Sequence, residues 1–284
     1  MHPRALPETP RRRLAPAGDS FTGPELRPVC LALIARDAHP ELALVVAANR
    51  DEFHARASEP VHLWDDPPGL LAGRDAVAGG TWLGVMRDGR FALVTNSHEP
   101  GATRSDAPSR GQLPLAFLAG TAPAAACAAT LAARAGEYNG FNLLFGDLNG
   151  ALCLSNRDPQ PLRPIAPGGV HGLGNRLLDR PEPKLDAARA GFGALLARPA
   201  RELEGALFTL LADRTRHGPD DDHPDHPWRE ALSAIFVAAP GYGTRCSTLL
   251  LAARDGRLSL IERRFDATGN ASGETREQWS LPRS

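Results

Sequence analysis

Two short apolar runs near the start of the chain constrain its fold more than any other feature. They are CLALIAR at 30–36 and LALVVAA at 42–48, joined by the polar link DAHPE. Apolar runs of this length, bounded by polar residues, predict buried strands, and the short link predicts that the two strands pair as an antiparallel hairpin. Ordered structure is therefore expected to begin at Val29.

The same reasoning predicts three more hairpins and two pairs of helices. Asn149-Gly150 and Asp255-Gly256 are dipeptides that favour tight turns between strands. Apolar residues recur with helical spacing in two other parts of the chain, one of them rich in alanine. The predicted strands are 70–75, 82–86 with 91–95, 141–147 with 151–155 and 245–252 with 257–264, and the predicted helices are 112–120, 122–135, 183–198 and 201–213.

The order of these elements predicts an α+β fold. Paired strands alternate with grouped helices, which favours antiparallel sheets over a parallel βαβ arrangement. Two facing antiparallel sheets with helices on the outside would cover every apolar face. Because no repeat or change of composition marks a boundary, residues 29–284 are expected to form a single domain.

Composition excludes several classes of protein. The 284 residues carry 32 Lys or Arg against 33 Asp or Glu, so no positive field would attract nucleic acid or an anionic membrane. A hydrophobic content of 42% suits a soluble globular protein. No apolar run reaches the roughly 18 residues that a membrane-spanning helix needs. We therefore expect no nucleic-acid partner and no integral membrane contact.

The first residues and the cysteines bear on the cellular location. Residues 1–28 are rich in Pro and Arg and lack the apolar core of a signal peptide, so they are predicted to be a disordered extension. Cys30, Cys127, Cys153 and Cys246 are scattered, with no CxxC pair. Scattered cysteines are typical of free thiols in a reducing compartment, which predicts a cytoplasmic protein.

Cys30 is the sharpest chemical feature of the sequence. Val29 precedes it, and an in-frame GTG start codon would be translated as Val. If translation begins there, removal of the initiator Met leaves Cys30 at the N-terminus, and residues 1–28 are an artefact of the gene model. A free α-amine, with a pKa of about 7.7–8.0, can then act as base to its own thiol, whose pKa is about 8.5. The alternative is a strand cysteine buried as a small hydrophobe.

Two charged residues end the strand that should pair with the strand of Cys30. The hairpin returns Arg50 and Asp51 to the side of Cys30. An Arg there favours the thiolate, and an Asp can accept hydrogen bonds from the α-ammonium. The alternative is a surface ion pair, which contributes little to stability.

Eight stretches of the sequence carry a resemblance to one family. The chain resembles the NRDE family, also called the Transport and Golgi organisation protein 2 family, whose members commonly begin Met-Cys. The matching stretches are Cys30-Leu31, VVAANRDEFHARASEP (45–60), GGTWLGV (79–85), LVTN (93–96), SRGQL (109–113), NGFNLLFGD (139–147), GLGNRLLD (172–179) and TRCSTLLL (244–251).

The resemblance implies a four-layer αββα fold of the N-terminal nucleophile type. The chain is more distantly similar to cysteine amidohydrolases such as penicillin V acylase, bile salt hydrolase and acid ceramidase. Those enzymes have a terminal Cys, an Arg and an Asp on the next strand, two Asn and a late Arg. The positions here that match in order are Cys30, Arg50, Asp51, Asn96, Asn175 and Arg245.

The residues themselves leave alternatives for the last three positions. Asn96 could donate to an oxyanion, which can be worth about 3 kcal/mol in a dry site, or cap a strand end. Asn175 follows Gly174, which allows close approach to a substrate, but Asn is also common in left-handed turns. Arg245 could stabilise a carboxylate or the thiolate, or anchor Asp51.

Two functions stay open. One is a hydrolase, without metal or cofactor, that cleaves an amide C–N bond of an unknown small molecule. The other is a haem carrier or a lipid or acyl-CoA carrier on the same fold, because animal members of the family are implicated in haem mobilisation and lipid homeostasis. His54 and His98 could then serve as haem ligands. A metal site at His217, His223 and His226 is not expected, because the Pro-rich sequence gives no fixed ligand geometry.

Overall fold

Two antiparallel sheets, each of seven strands within the described residues, form the centre of the protein. The computed structural model describes residues 30–97, 104–218 and 228–281, so the extension predicted at 1–28 lies outside the described residues. The strands are β1 (Leu31–Arg36), β2 (Leu42–Phe53), β3 (Ser58–Leu63), β4 (Leu70–Asp75), β5 (Leu83–Met86), β6 (Phe91–Asn96), β7 (Phe141–Gly146), β8 (Ala151–Ser155), β9 (Leu162–Pro164), β10 (Val170–Leu173), β11 (Ala238–Ala239), β12 (Tyr242–Ala253), β13 (Arg257–Phe265) and β14 (Ala271–Ser280).

The two sheets have different connectivity. The first sheet has the order β10-β1-β2-β12-β13-β14, with β11 beside β12, and the second runs β3-β4-β5-β6-β7-β8-β9. The helices are α1 (Gln112–Leu118), α2 (Ala124–Arg134), α3 (Pro183–Leu195), α4 (Ala200–Leu211) and α5 (Arg229–Leu232). None of the helices in the described ranges is both long and apolar enough to cross a bilayer.

Three apolar clusters define four layers. Between the sheets, Ile34 and Leu250 of the first sheet lie in one buried cluster with Leu93 of the second. Outside the first sheet, strand residues pack with Phe192 of α3 and with residues of α4. Outside the second sheet, Phe145 packs edge-on against Phe117 of α1. The α+β fold with an αββα arrangement is therefore confirmed.

The first hairpin is buried on both faces because each face meets another layer. Residues 32 and 34 belong to the cluster between the sheets, and residues 31 and 33 belong to the cluster beneath α3 and α4. The structure confirms this predicted hairpin, with Leu31 opposite Asn49. Strand β2 continues past the predicted end at residue 48 to Phe53, so the sequence NRDE lies inside a strand.

The strands absent from the prediction lack an apolar signal. Strand β14 pairs with β13, but it lies at the edge of the sheet, where exposed and half-buried residues alternate. Strand β3 contains Pro60 and has a register shift between Glu59 and His62. Pairing with a neighbouring strand, rather than burial, holds these segments in the sheets.

Candidate functional site

Cys30 lies between the ends of two neighbouring strands. Leu31 faces Asn49 on β2, so the residue before Leu31 comes opposite Arg50. On the other side the pairing of β1 with β10 brings Cys30 to Asn175. The main-chain N–H of Cys30 donates to Asn175 Oδ1 over 3.0 Å. The sheet thus brings together residues from three separate parts of the sequence.

A small cavity between the two sheets opens beside Cys30. Its volume is about 10 Å³, which is enough for roughly one water molecule. Most of its wall is apolar. Its lining includes Cys30, Ala48, Arg50, Trp82, Leu93 and Thr95.

The surroundings of Cys30 keep its thiol protonated. Burial and the negative charge of Asp51 raise its pKa to about 12, while a hydrogen bond from the main chain of Asp51 and the charge of Arg50 oppose this rise. A thiol with this pKa contains almost no thiolate at neutral pH. With a residue attached before it, Cys30 is a poor nucleophile.

Asp51 is a buried carboxyl with incomplete hydrogen bonding. It is 1% exposed, and its Oδ1 accepts the hydroxyl of Thr244 over 2.7 Å. Its Oδ2 is buried and has no hydrogen-bond partner among the described residues. Burial raises the pKa of Asp51 to about 7, partly offset by the Lys184 ammonium and the Thr244 hydroxyl. The carboxyl can therefore accept a further donor.

Arg50 is held by an aromatic ring and a carboxylate. It is 6% exposed, and its guanidinium lies 4.4 Å from the ring centroid of Trp82 and 3.7 Å from Glu52. Its Nη1 is buried without a partner in the described part of the chain. Trp82 in turn lies against Gly73, where a Cβ would come within 2.3 Å of the indole. A stacked guanidinium shielded from water can bind an anion strongly.

The loop that carries Asn175 is bonded to the opposite sheet. Thr95 Oγ1 donates to Gly174 O over 2.9 Å. Asn142 Nδ2 donates to Arg176 O over 2.9 Å and to Thr95 Oγ1 over 3.2 Å. Both Thr95 and Asn142 are buried. These bonds fix the main chain on either side of Asn175.

A second clamp closes the base of the same loop. Asp179 adopts a left-handed conformation with φ of 58°, and its main-chain N–H donates to Gly172 O. Its carboxylate accepts the N–H of Gly172 over 2.8 Å and lies 2.7 Å from His171 Nδ1. The hydrogen bond with Asp179 raises the pKa of His171. The loop of Asn175 is therefore held at its base as well as from the opposite sheet.

Asn96 lies at the margin of this arrangement. It is the last residue of β6, half-buried and opposite Phe141 of β7. Thr95, not Asn96, lines the cavity next to Cys30. The oxyanion role of Asn96 stays a prediction.

Arg245 occupies a bulge in β12. The register against β2 shifts between Thr244 and Cys246, so Arg245 is the extra residue. Its Nη1 donates to three carbonyl oxygens at the end of β2 and in the turn after it, over 3.0–3.2 Å, those of Phe53, His54 and Arg56. Arg245 thus anchors the turn that leads from the first sheet to the second.

Several residues around the site were not anticipated from the sequence. Asn49, the first residue of NRDE, donates to Leu211 O and Ile235 O, and it therefore joins the sheet to the end of α4. Lys184 is the chain's sole lysine, but its sequence context gave no sign that its charge would act on Asp51; its Nζ donates to Leu232 O. The buried Thr95 and Asn142 offered no signal beyond their place in the matching stretches.

Two of the histidines considered as ligands, His54 and His217, lie in the described part of the chain. His54 follows β2, burial and then the charge of Arg245 lower its pKa, and it does not line the cavity beside Cys30. His217 Nε2 lies 3.7 Å from an Asp213 oxygen. Within the described ranges no three His, Cys, Asp or Glu side chains gather as metal ligands would. The remaining candidates, His98, His223 and His226, lie outside the described residues.

Fold and site together define a four-layer αββα protein with a cysteine at the start of an inner strand. The Transport and Golgi organisation 2 family matches residues 29–267. The human Transport and Golgi organization protein 2 homolog is 31% identical over 250 residues, covering 82% of this chain and 90% of that protein. The Transport and Golgi organization protein 2 of Drosophila melanogaster is 25% identical over 260 residues, covering 82% of this chain and 91% of that protein. The chain belongs to the Transport and Golgi organisation 2 family, which confirms the resemblance found in the sequence.

Solved structures show more distant likenesses. A Caenorhabditis elegans N-acylethanolamine-hydrolyzing acid amidase ortholog is 12% identical, with a TM-score of 0.44, covering 78% of this chain and 92% of that one. Penicillin V acylase from Agrobacterium tumefaciens is 11% identical, with a TM-score of 0.40, covering 87% and 90%. A mutant conjugated bile acid hydrolase from Clostridium perfringens is 8% identical, with a TM-score of 0.44, covering 89% and 97%.

Proposed function

We propose that this protein is an N-terminal cysteine hydrolase that cleaves an amide C–N bond of a small molecule. It acts once Cys30 is the first residue. The observation that supports this most is the setting of Cys30. The main-chain N–H of Cys30 is hydrogen-bonded to Asn175, and Cys30 lies opposite Arg50. Cys30 is also close to the Asp51 carboxyl, whose Oδ2 has no hydrogen-bond partner among the described residues.

A free α-amine would give Cys30 the base and the nearby positive charge that an internal cysteine lacks. An α-ammonium has three donors in place of one N–H. In this proposal one of them keeps the bond to Asn175 Oδ1, and Asp51 Oδ2 accepts another. The new positive charge favours both the thiolate of Cys30 and the carboxylate of Asp51, so it lowers the pKa of each. An amine near its own pKa at neutral pH can then take the thiol proton.

The chemistry follows the usual course of covalent catalysis. The neutral amine takes the Cys30 thiol proton, and Sγ attacks the substrate carbonyl carbon to give a tetrahedral oxyanion. The oxyanion collapses, the C–N bond breaks, and the α-ammonium gives its proton to the departing amine. A water molecule, deprotonated by the same amine, then attacks the thioester. The carboxylic acid leaves, and the proton returns to the thiolate.

Two asparagines are assigned to the oxyanion in this proposal. Asn175 is held beside Cys30, and Asn96 ends the strand whose preceding residue, Thr95, lines the cavity. Loss of one such donor typically costs about 3 kcal/mol, or roughly 10²–10³ in rate. Arg50 orients the thiol, Asp51 holds the amine, and Arg245 supports the turn beside them.

The test uses protein that begins at Cys30 and a panel of simple acyl amides, with amine release as the readout. We expect hydrolysis that is lost in Cys30→Ala and unchanged in Cys127→Ala, whose thiol lies on α2. Hydrolysis that survives Cys30→Ala would overturn the proposal. So would the absence of hydrolysis together with a saturable Soret shift on haem titration of Cys30→Ala, which is the result expected of a haem carrier.

A further inference from the structure

A second and larger cavity lies next to the one beside Cys30. Its volume is about 100 Å³, and strands of both sheets form its wall. Trp82 lines both cavities. Because whole drug-sized ligands occupy roughly 300–1,000 Å³, a space of this size fits one end of a ligand.

The bulge in β12 places one guanidinium at this cavity. Bulges redirect side chains, and here the consecutive residues Arg245 and Cys246 both line the cavity wall. The three carbonyl groups bonded to Nη1 hold the Arg245 side chain in place. The other nitrogens of this guanidinium have no acceptor in the described part of the chain.

The neighbouring strand supplies a second guanidinium. Arg264 of β13 faces Cys246 across the strand pair and lines the same cavity. Its Nη1 donates to Glu262 Oε1 over 3.2 Å and to Thr275 Oγ1 over 2.7 Å. Gly273 leaves room for it, since a Cβ there would lie 2.5 Å from Nη2. Arg264 is thus held in one position, and its Nε and Nη2 have no acceptor among the described residues.

The cavity wall carries two guanidinium groups and two carboxylates, so an anion would bind through the guanidinium N–H donors rather than through a net positive charge. Glu262 is 1% exposed, and its Oε1 accepts the N–H of Val61 and the guanidinium of Arg264, while its Oε2 is buried with no partner among the described residues. The other acidic residue of the wall, Glu59, is exposed to solvent. Two fixed guanidinium groups with unused N–H donors match the planar oxygen pair of a carboxylate.

We propose that this cavity binds a carboxylate at one end of the substrate, while the rest of the molecule extends past Trp82 to Cys30. The carboxylate end of the ligand lies against Arg245 and Arg264. The placement of the scissile amide at Cys30 rests on the proposed hydrolase function. The binding of a carboxylate does not depend on that function.

Binding is measured on Cys30→Ala protein, which cannot cleave an amide through Cys30. The probes are N-acetylglycine, which ends in a carboxylate, and N-acetylglycinamide, which ends in a neutral amide. The readout is the NMR shift of the Trp82 indole N–H, assigned with Trp82→Phe. We expect saturable binding of N-acetylglycine, with N-acetylglycinamide at least tenfold weaker.

Three variants locate the site. Arg264→Gln is expected to weaken N-acetylglycine binding at least tenfold. Gly273→Ala is expected to weaken it as well, because its methyl group displaces the Arg264 guanidinium without removing the charge. The matched control is Arg263→Gln, since Arg263 lies over Phe208 on the opposite face of the sheet. It should leave binding unchanged.

The outcomes separate this proposal from the hydrolase. Equal binding of the two probes, no binding of N-acetylglycine, or binding unaffected by both Arg264→Gln and Gly273→Ala would overturn the carboxylate site. If amides are hydrolysed but the two probes bind equally, the hydrolase stands and the carboxylate site fails. If N-acetylglycine binds as expected and no amide is hydrolysed, the carboxylate site stands and the hydrolase proposal fails.

Discussion

The amide oxygen of Asn175 accepts the main-chain N–H of Cys30 over 3.0 Å, although 145 positions separate the two residues. This bond depends only on an N–H of Cys30, so it can persist when the preceding peptide bond is absent. The amine would then gain hydrogens and charge without a change of place. The contact that would position an N-terminal amine is therefore already present while Cys30 is an internal residue.

Exposure of the amine should make the Cys30 thiol more reactive. In protein that carries residues 1–29, the pKa of Cys30 is raised to about 12, so alkylation at pH 7.5 should be slow and should keep rising up to high pH. In protein that begins at Cys30, the adjacent ammonium lowers this pKa, and alkylation should be at least tenfold faster. Iodoacetamide labelling of the Cys30 peptide, followed by mass spectrometry across pH, measures both rates.

The partly exposed Cys127 serves as an internal reference in the same samples. Its labelling rate should be the same in both proteins. Identical pH profiles of Cys30 in the two proteins would contradict an effect of the amine.

Replacement of Asp51 should alter how stability depends on pH. Because the folded pKa of Asp51 is raised to about 7, above its ordinary value, its contribution is greatest at low pH and is lost as pH rises through 7. Between pH 5 and pH 8 this loss corresponds to about 2–3 kcal/mol. In protein that carries residues 1–29, Asp51→Asn should remove that part of the dependence, as measured by urea unfolding at both pH values.

The Asn side chain can still accept the Thr244 hydroxyl, so the comparison isolates the charge. Parallel pH dependences in the two proteins would show that the Asp51 pKa is not raised by folding.

Loss of the Asn142 amide should loosen the loop of Asn175. Asn142 is fully buried, and its Nδ2 donates hydrogen bonds to the hydroxyl of Thr95 and to the main-chain carbonyl of Arg176. Asn142→Ala should lower the free energy of unfolding by about 1–3 kcal/mol, since buried partners are left unsatisfied. Amide hydrogen exchange of residues 174–178 should quicken. Asn139→Ala, which affects an exposed bond to Arg104, is the control and should leave that loop unchanged.

The Asp179 carboxylate should control the titration of His171. Their hydrogen bond raises the pKa of His171, so its stabilising effect is present at low pH and is lost as pH rises through that pKa. Asp179→Asn should lower the His171 pKa, as followed by the NMR shift of its imidazole protons. It should also destabilise the protein more at pH 6 than at pH 9. An unchanged His171 titration would show that the pair is not coupled in solution.

A strand can be predicted from the sequence when its residues are buried, because burial leaves an apolar pattern. The hairpin of β1 and β2 follows from its apolar runs, and its register places Arg50 opposite Cys30 without further information. The edge strand β14 has no comparable apolar pattern, because its residues are stabilised by pairing with β13 rather than by burial.

The long-range contacts of the site could not be predicted from the sequence. The hydrogen bond from Thr95 to Gly174 joins the second sheet to the loop after β10, and neither residue is unusual in its own strand or loop. The bulge at Arg245 is a register shift of one residue, which no local pattern predicts. By contrast, the family resemblance pointed to Asn175, and the structure places it next to Cys30, while its role stays a prediction.

The proposed chemistry requires Cys30 to be the first residue of the working protein. The most direct measurement is the intact mass and N-terminal sequence of the protein purified from its natural host. We expect a chain that begins at Cys30 with a free amine. A stable, mature chain that begins at Met1, with Cys30 in an ordinary peptide bond, would contradict it.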